Sequence, residues 1–99
     1  MAYFLALTIH LHFPENGSLK GKRKELLSVR SGLARRFGAA VAEVDHQDLW
    51  QRSTLAAALV GGSVHELERV AGSLERYLEQ RFPAGIRIER RLVSFSDLG

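Results

Sequence analysis

The sequence predicts an α+β fold of the ferredoxin-like type, a βαββαβ chain in which two helices cover one face of a four-stranded antiparallel sheet. Three observations predict it: strict alternation in residues 3–13, two helix-length apolar stripes, and two short apolar runs on either side of a compact polar turn. Right-handed crossovers then give the strand order 4-1-3-2. The 99 residues are expected to form a single domain, 1–99.

The first strand is predicted over residues 3–13, where apolar and small or polar side chains alternate. The face expected to enter the core carries Tyr3, Leu5, Leu7, Ile9, Leu11 and Phe13. The opposite face carries Phe4, Ala6, Thr8, His10 and His12. Residues 14–18 (PENGS) end this strand, and Ser18 is expected to be the N-cap of a helix.

The first helix is predicted over residues 19–37. Its apolar stripe consists of Leu26, Leu27, Val29, Leu33, Ala34 and Phe37. Arg23 and Arg30 lie one heptad apart at the edge of this stripe, so their stems are expected to cover the core rim while the guanidinium groups point outward. Gly38 follows at the position where a helix C-terminus favours glycine.

The remaining elements follow from similar patterns. Residues 39–45 and 53–60 are predicted strands, joined by the turn DHQDLWQR (45–52). Ser63 and Glu66 form a capping box for a second helix that runs to about Phe82, before Pro83 and Gly85 stop it. Its buried side is expected to hold Val64, Leu67, Val70, Ala71, Leu74, Leu78 and Phe82. Residues 86–95 are the last predicted strand.

Positive charge is concentrated in the first helix. Residues 18–36 carry a formal charge of +6 within a chain whose net charge is +3, so the other residues sum to −3. Such a stripe suits phosphate or an acidic partner, although a solvated helix face has the same composition. The start of this helix resembles a phosphate-binding loop but is one residue short, and Arg23 replaces the metal-binding hydroxyl. A nucleotide triphosphatase is therefore excluded.

The predicted topology brings the end of strand one, the start of helix one, the polar turn and the start of strand four to one edge of the sheet. His12 should lie near Trp50 or Arg52, and Leu49 and Trp50 are expected to close the end of the core. The possible ligand edge consists of His10, His12, Asp45, His46 and Asp48. These residues suit zinc binding or acid–base chemistry, but solvated histidines and turn-capping aspartates are the competing interpretation. We assign no catalytic residue and expect no metal or cofactor.

The sheet face away from the helices is expected to be an oligomer face. It consists of Phe4, Ala6, Thr8, Thr54, Ala56, Ala58 and Val60. A monomer rarely exposes so contiguous an apolar patch, so the pattern favours self-association as a homodimer or higher oligomer. The third strand has no aromatic residue on this face, which argues against base stacking of the RNA-recognition-motif kind.

The segments SLKGKRK (18–24) and AEVDHQDLWQRSTLA (42–56) resemble the YlxP-like family, small bacterial domains of unknown function. The resemblance covers nearly the whole chain and departs at Gly21, where relatives often carry a charged residue. It implies a ferredoxin-like fold and supplies no catalytic residues. Genes for such proteins often lie among translation and ribosome-maturation genes, which implies a role with RNA or the ribosome.

We therefore expect a cytoplasmic, non-enzymatic binding protein that associates with RNA or a ribosomal particle. The absence of cysteine fits a reducing cytoplasm. No apolar run reaches the length of a membrane span, so no membrane partner is expected. The expected phosphate contacts are Ser18, Lys20, Lys22, Arg23, Lys24, Arg35, Arg36, Trp50 and Arg52. Two alternatives stay open: a small-ligand or metal-dependent enzyme at the possible ligand edge, and a protein–protein interaction module.

Overall fold

The computed structural model describes residues 1–14, 17–83 and 85–98, and its elements follow the predicted order. The strands are β1 (Tyr3–His12), β2 (Ala40–Asp45), β3 (Arg52–Gly61) and β4 (Ile86–Ser94). The helices are α1 (Leu19–Phe37) and α2 (Val64–Arg81), and a 3-10 turn follows at Phe95–Asp97. The predicted turn at 14–18 lies partly outside the described residues.

The four strands form one antiparallel sheet in the order β2-β3-β1-β4, which confirms the predicted topology. In the register of β1 with β3, His12 lies opposite Arg52, as the topology led us to expect. The pairing of β2 with β3 shifts register between Glu43 and Asp45, a β-bulge beside which Val44 is exposed. The bulge therefore lies immediately before the polar turn.

The core lies between the sheet and the two helices. Alternation along β1 sends every second side chain toward the helices, while the helices contribute residues at spacings of three and four. The most deeply buried apolar side chains are Leu5, Leu7, Ile9, Val29, Leu33, Leu55, Leu74 and Leu78. The edge-to-face packing of Phe13 on Phe82 closes one end, with ring centroids 5.4 Å apart.

The predicted helix caps are confirmed. The Ser18 hydroxyl accepts a hydrogen bond from the backbone N–H of Gly21 at 3.0 Å, and that of Ser63 accepts from Glu66 at 3.3 Å. Gly38 ends α1 in the left-handed conformation, with φ of 68°. These caps fix where both helices begin and where α1 ends.

The buried side of α1 is narrower than predicted. The buried stripe contains Lys22, Leu26, Val29 and Leu33, about one residue per turn. The neighbouring Leu27 and Ala34 therefore face solvent, and the Leu27 side chain is 66 % exposed. Val64 at the start of α2 is also exposed rather than buried. Gly32 takes a core-facing position because α2 approaches it: a Cβ there would lie 2.2 Å from the Tyr77 hydroxyl. Among the helices of the described residues, none is long and apolar enough to cross a membrane.

Candidate functional site

Lys22 anchors the start of α1 to the β2–β3 turn. Its side chain is only 1 % exposed because it continues the buried stripe one turn before Leu26. The ammonium donates to the carbonyls of His46 and Leu49, both at 2.6 Å, and lies 3.0 Å from the Glu43 carboxylate. Three partners match the three N–H donors of an ammonium. The expected phosphate contact of Lys22 is therefore corrected: its charge is used inside the fold.

Glu43 completes this internal network. Its carboxylate accepts a hydrogen bond from the Ser53 hydroxyl at 2.7 Å, and its side chain is 17 % exposed. A buried ion pair is tolerated when such additional hydrogen bonds satisfy its atoms. Because the backbone carbonyls of the turn point inward to Lys22, the side chains of Leu49 and Trp50 project outward, 43 % and 47 % exposed. The expectation that they close the core is thus wrong.

Five exposed cations lie on the solvent-facing side of α1, which we call the basic face. It consists of Lys20, Arg23, Lys24, Arg30 and Arg35. Within residues 1–14, 17–83 and 85–98, no acidic side chain lies within ion-pair distance of any of them. The one acid of α1, Glu25, is taken by Arg81 of α2 at 3.1 Å. The described residues therefore leave the positive charge of the basic face unneutralised.

The remaining predicted phosphate contacts lie in three different environments. Arg36 lies over the Tyr77 ring, 4.9 Å from its centroid, so it is held by a cation–π contact between the helices. The Ser18 hydroxyl caps α1. Arg52 and Trp50 are exposed at the edge that adjoins the start of α1. Of the nine predicted residues, Lys22 is buried and the other eight are exposed.

Most basic residues of α2 and β4 have acidic partners. Arg69 pairs with Glu66, and the hydrogen bond and charge of Arg69 lower the pKa of that carboxyl. Arg90 of β4 reaches both Glu68 and Glu75 of α2, and despite partial burial these partners raise its pKa. The charges of this half of the protein therefore connect its elements to one another.

The possible ligand edge contains a chain of hydrogen bonds across the sheet. His10 Nε2 lies 2.8 Å from the Glu89 carboxylate, and His10 Nδ1 lies 3.4 Å from the Thr54 hydroxyl. That hydroxyl is also 3.0 Å from His46 Nδ1. The hydrogen bond from His10, together with the charge of Arg87 at 3.0 Å, lowers the pKa of Glu89. The sequence pattern identified His10 and His46 but not Glu89, which reaches this edge only through the pairing of β4 with β1.

The direction of these hydrogen bonds depends on the protonation and tautomer of the two histidines. A neutral His10 that donates from Nε2 to Glu89 leaves Nδ1 as an acceptor for the single Thr54 proton. The Thr54 oxygen must then accept from His46, whose Nδ1 carries the hydrogen. His46 has a positive φ of 63°, and Asp45 accepts its backbone N–H at 2.8 Å. Asp45 thus acts as a turn cap, although it bonds one residue on rather than two.

These hydrogen bonds join the β2–β3 turn to the sheet. A carboxylate, an imidazole and a hydroxyl in series are the parts of a nucleophilic site. However, Thr54 is only 5 % exposed, and two imidazoles flank its oxygen. His12 and Asp48 are exposed and lie outside this network of hydrogen bonds. The described residues contain no cluster of three or more His, Asp or Glu side chains able to hold a metal.

The sheet face away from the helices, which we call the open face, carries mainly small side chains in its centre. The register aligns Arg91, Ala6, Ala58 and Ala40 in one row, and Glu89, Thr8, Ala56 and Ala42 in the next. The predicted face thus gains Ala40 and Ala42, which the sequence pattern missed. Thr54 leaves it because His46 and His10 cover its hydroxyl.

The end of the open face that contains Phe4 is partly covered by the 3-10 turn at Phe95–Asp97. Phe95 packs edge-on against Phe4, with ring centroids 6.1 Å apart. Between this turn and the sheet lies a shallow groove of about 420 Å³, bordered by Ala6, Arg91 and Leu98. Val60, in the same register row as Phe4, stays 69 % exposed.

Comparison with known proteins agrees with this fold. The de novo designed protein Foldit4 superposes with a TM-score of 0.64 at 9 % identity, covering 95 % of this chain and 98 % of that one, which shows the fold alone. SnoaB, a cofactor-independent oxygenase from Streptomyces nogalater, gives a TM-score of 0.49 at 12 % identity, covering 94 % of this chain and 91 % of that one. A likeness this distant carries no functional argument.

Sequence comparison gives the family. The "Uncharacterized protein YlxP" of Bacillus subtilis (strain 168) is 33 % identical over 67 residues, which cover 64 % of this chain and 73 % of that protein. This similarity confirms the resemblance seen in the sequence. The profile described as "Protein of unknown function (DUF503)" matches residues 4–90. Because that match spans most of the chain, the protein belongs to the DUF503 family.

Proposed function

We propose that this protein is a cytoplasmic, non-enzymatic binding protein that associates with RNA or a ribosomal particle through the basic face of α1. One observation carries the proposal: five exposed cations of α1 have no acidic partner in the part of the chain that the structure describes, while most bases elsewhere are paired. A protein surface that keeps such charge unneutralised favours a polyanion.

The shape of the basic face favours an extended partner over a small anion. Lys20 and Arg35 are 15 residues apart, which at about 1.5 Å per residue places them about 22 Å apart along the helix. Cations recur along this line on a convex helix surface. A nucleic-acid backbone, with phosphates in series, fits such a line better than a single phosphate does. Three of the five cations are arginines, which bind phosphate in a bidentate manner.

The adjoining edge supplies a second kind of contact. Trp50 is about half exposed and Arg52 is exposed beside it, near the start of α1. An exposed indole offers a flat surface on which an unpaired base can stack. The open face lacks this property in its centre, where alanines replace aromatic rings. We therefore propose backbone contact along α1 and base stacking at Trp50.

Fluorescence anisotropy with a mixed-sequence RNA stem-loop tests this proposal over a series of salt concentrations. We expect the logarithm of the association constant to fall with the logarithm of salt concentration, by about 0.7 to 0.9 per phosphate contact. Arg23→Glu should weaken binding about tenfold and reduce the slope by about one.

The matched control is Arg76→Glu, the same charge reversal at an exposed position of α2. We expect it to bind within about twofold of the unchanged protein, since its position is distant from the basic face. Absence of binding at low salt, binding that ignores salt, or equal losses for both variants would contradict the proposal.

A further inference from the structure

We propose that the open face is a homodimer interface, so that its occupant is a second copy of this chain. No element among the described residues covers its centre, because both helices lie on the opposite side of the sheet. The centre consists of small apolar side chains: Ala6, Ala56 and Ala58 on the two middle strands are half-buried, and Ala42 beside them is exposed. Contiguous surfaces of this kind are found at protein interfaces.

Small side chains allow two sheets to approach closely. Facing sheets normally pack about 10 Å apart, with interdigitating side chains between them. The longer residues of the face lie at its margins, on β4 and at one end, while alanine occupies the centre. Two copies can therefore place the long margin of one against the short side chains of the other.

The charges of the open face are self-complementary. Its margins carry the bases Arg52, Arg87 and Arg91 and the acids Glu89 and Asp45, so the patch contains both signs of charge. A two-fold interface uses the same patch on both copies, so that patch must contain both signs. The basic face of α1 fails this requirement, since it would repel a second copy of itself. The charge pattern therefore assigns self-association to the sheet and not to the helix.

Two simple arrangements, in which a two-fold axis through the centre of the face is parallel or perpendicular to the strands, both bring opposite charges together. An axis parallel to the strands sets β4 over β2 of the second copy at the same height, with Arg87 opposite Asp45 of the second copy. An axis perpendicular to the strands sets β4 over β4 in reversed order, with Arg91 opposite Glu89 of the second copy. Arg91 has no acidic partner within the described residues of its own chain.

The area of the face is sufficient for a dimer of moderate affinity. Four strands of about 4.8 Å each and seven residue positions of about 3.4 Å each, residues 4–10 of β1, give a footprint of about 20 Å by 24 Å. Two copies would bury about 1,000 Å² in total, which is near the lower bound for a specific interface. We therefore expect a dissociation constant in the micromolar range rather than an obligate dimer.

Sedimentation equilibrium over a range of protein concentrations tests the proposal. At high concentration the mass should reach twice the chain mass of 11.0 kDa. Val60→Glu and Ala58→Arg should each weaken dimerisation at least tenfold by burying a charge in the interface. Val60 is 69 % exposed in the single chain, so its substitution leaves the fold intact, which circular dichroism would verify. Ala34→Arg, at an exposed alanine of α1, is the control and should dimerise normally.

A monomer at all concentrations, or variants that dimerise as well as the control, would overturn the proposal. So would loss of RNA binding by Val60→Glu without any change in mass, because the face would then bind nucleic acid. The dimer is independent of the function proposed for α1, since each is tested with variants that leave the other surface unchanged.

Discussion

Helices α1 and α2 lie side by side on the same face of the sheet and have nearly equal lengths, but they use charge differently. The exposed bases of α2 include Arg69, which pairs with Glu66, and its acids Glu68 and Glu75 hold Arg90 of β4. The exposed bases of α1 have no such partners within the described residues. The difference indicates that most charges of α2 stabilise the fold, whereas the exposed bases of α1 make no ion pair with the described residues.

The same division appears within α1 itself. Lys20, Lys22 and Lys24 are two residues apart in sequence, yet only Lys22 points into the protein. Position 22 shares the helix face of Leu26, while the other two lie to either side. The residue type therefore does not distinguish a buried, structural lysine from an exposed one. The position of the residue around the helix axis does.

Lys22→Met should give the largest effect on stability. The substitution keeps the length of the side chain but leaves the Glu43 carboxylate without its cation and two turn carbonyls without their donor. We expect a loss of about 3 kcal/mol in the free energy of unfolding, measured by urea denaturation.

Lys24→Met is the matched control within the same helix, and it should change the unfolding free energy by less than about 0.5 kcal/mol. Equal effects of the two substitutions would mean that the internal network does not hold the turn. The contrast between inward and outward lysines would then be lost.

Glycine-to-alanine substitutions should have opposite signs in the two helices. At Gly32 of α1 a Cβ would collide with the Tyr77 ring, which Phe37 and Arg36 hold in place, so Gly32→Ala should cost about 1–3 kcal/mol. At Gly72 of α2 the nearest atom is the end of Arg76 at 3.4 Å. Gly72→Ala should therefore stabilise the protein by about 0.5–1 kcal/mol. Thermal unfolding of both variants checks the signs, and stabilisation by Gly32→Ala would contradict the close approach of the helices.

Acid titration should show a smaller effect at the paired surface of β4. The hydrogen bond from His10 and the charge of Arg87 lower the pKa of Glu89 below its ordinary value of 4.5. Its contribution to stability is therefore present above that value and is lost as the pH falls through the lowered pKa. Glu89→Gln should make the unfolding free energy fall less steeply between about pH 5 and pH 3. Glu79→Gln, at an exposed glutamate of α2, should leave the steepness unchanged; a similar flattening in both variants would contradict the role of Glu89.

The fold was predictable because each element carries a local signal. Alternation in β1, the N-cap serines Ser18 and Ser63, and Gly38 at the end of α1 each act over a few residues, and they agree with one another. The convergence of His12 and Arg52 followed from topology alone.

The details of the site were less predictable because they depend on long-range contacts. Glu89 lies 79 residues from its partner His10, and no spacing rule connects them. The burial of Lys22 could have been inferred from its position four residues before Leu26, on the same side of the helix. It was missed because charged side chains usually lie on the surface. The covering of Thr54 depends on the positive φ of His46, which the sequence does not specify.

The most direct test of the central claim reverses two charges on each helix and compares the two proteins. Arg23→Glu with Arg30→Glu alters the basic face, and Arg69→Glu with Arg76→Glu makes the same change on α2. Sedimentation of cell lysates through sucrose gradients at low salt would then follow each tagged protein. We expect the unchanged protein and the α2 variant to travel with a ribosomal particle while the α1 variant stays at the top. Sedimentation of the α1 variant with the particle, or absence of all three proteins from it, would contradict the claim.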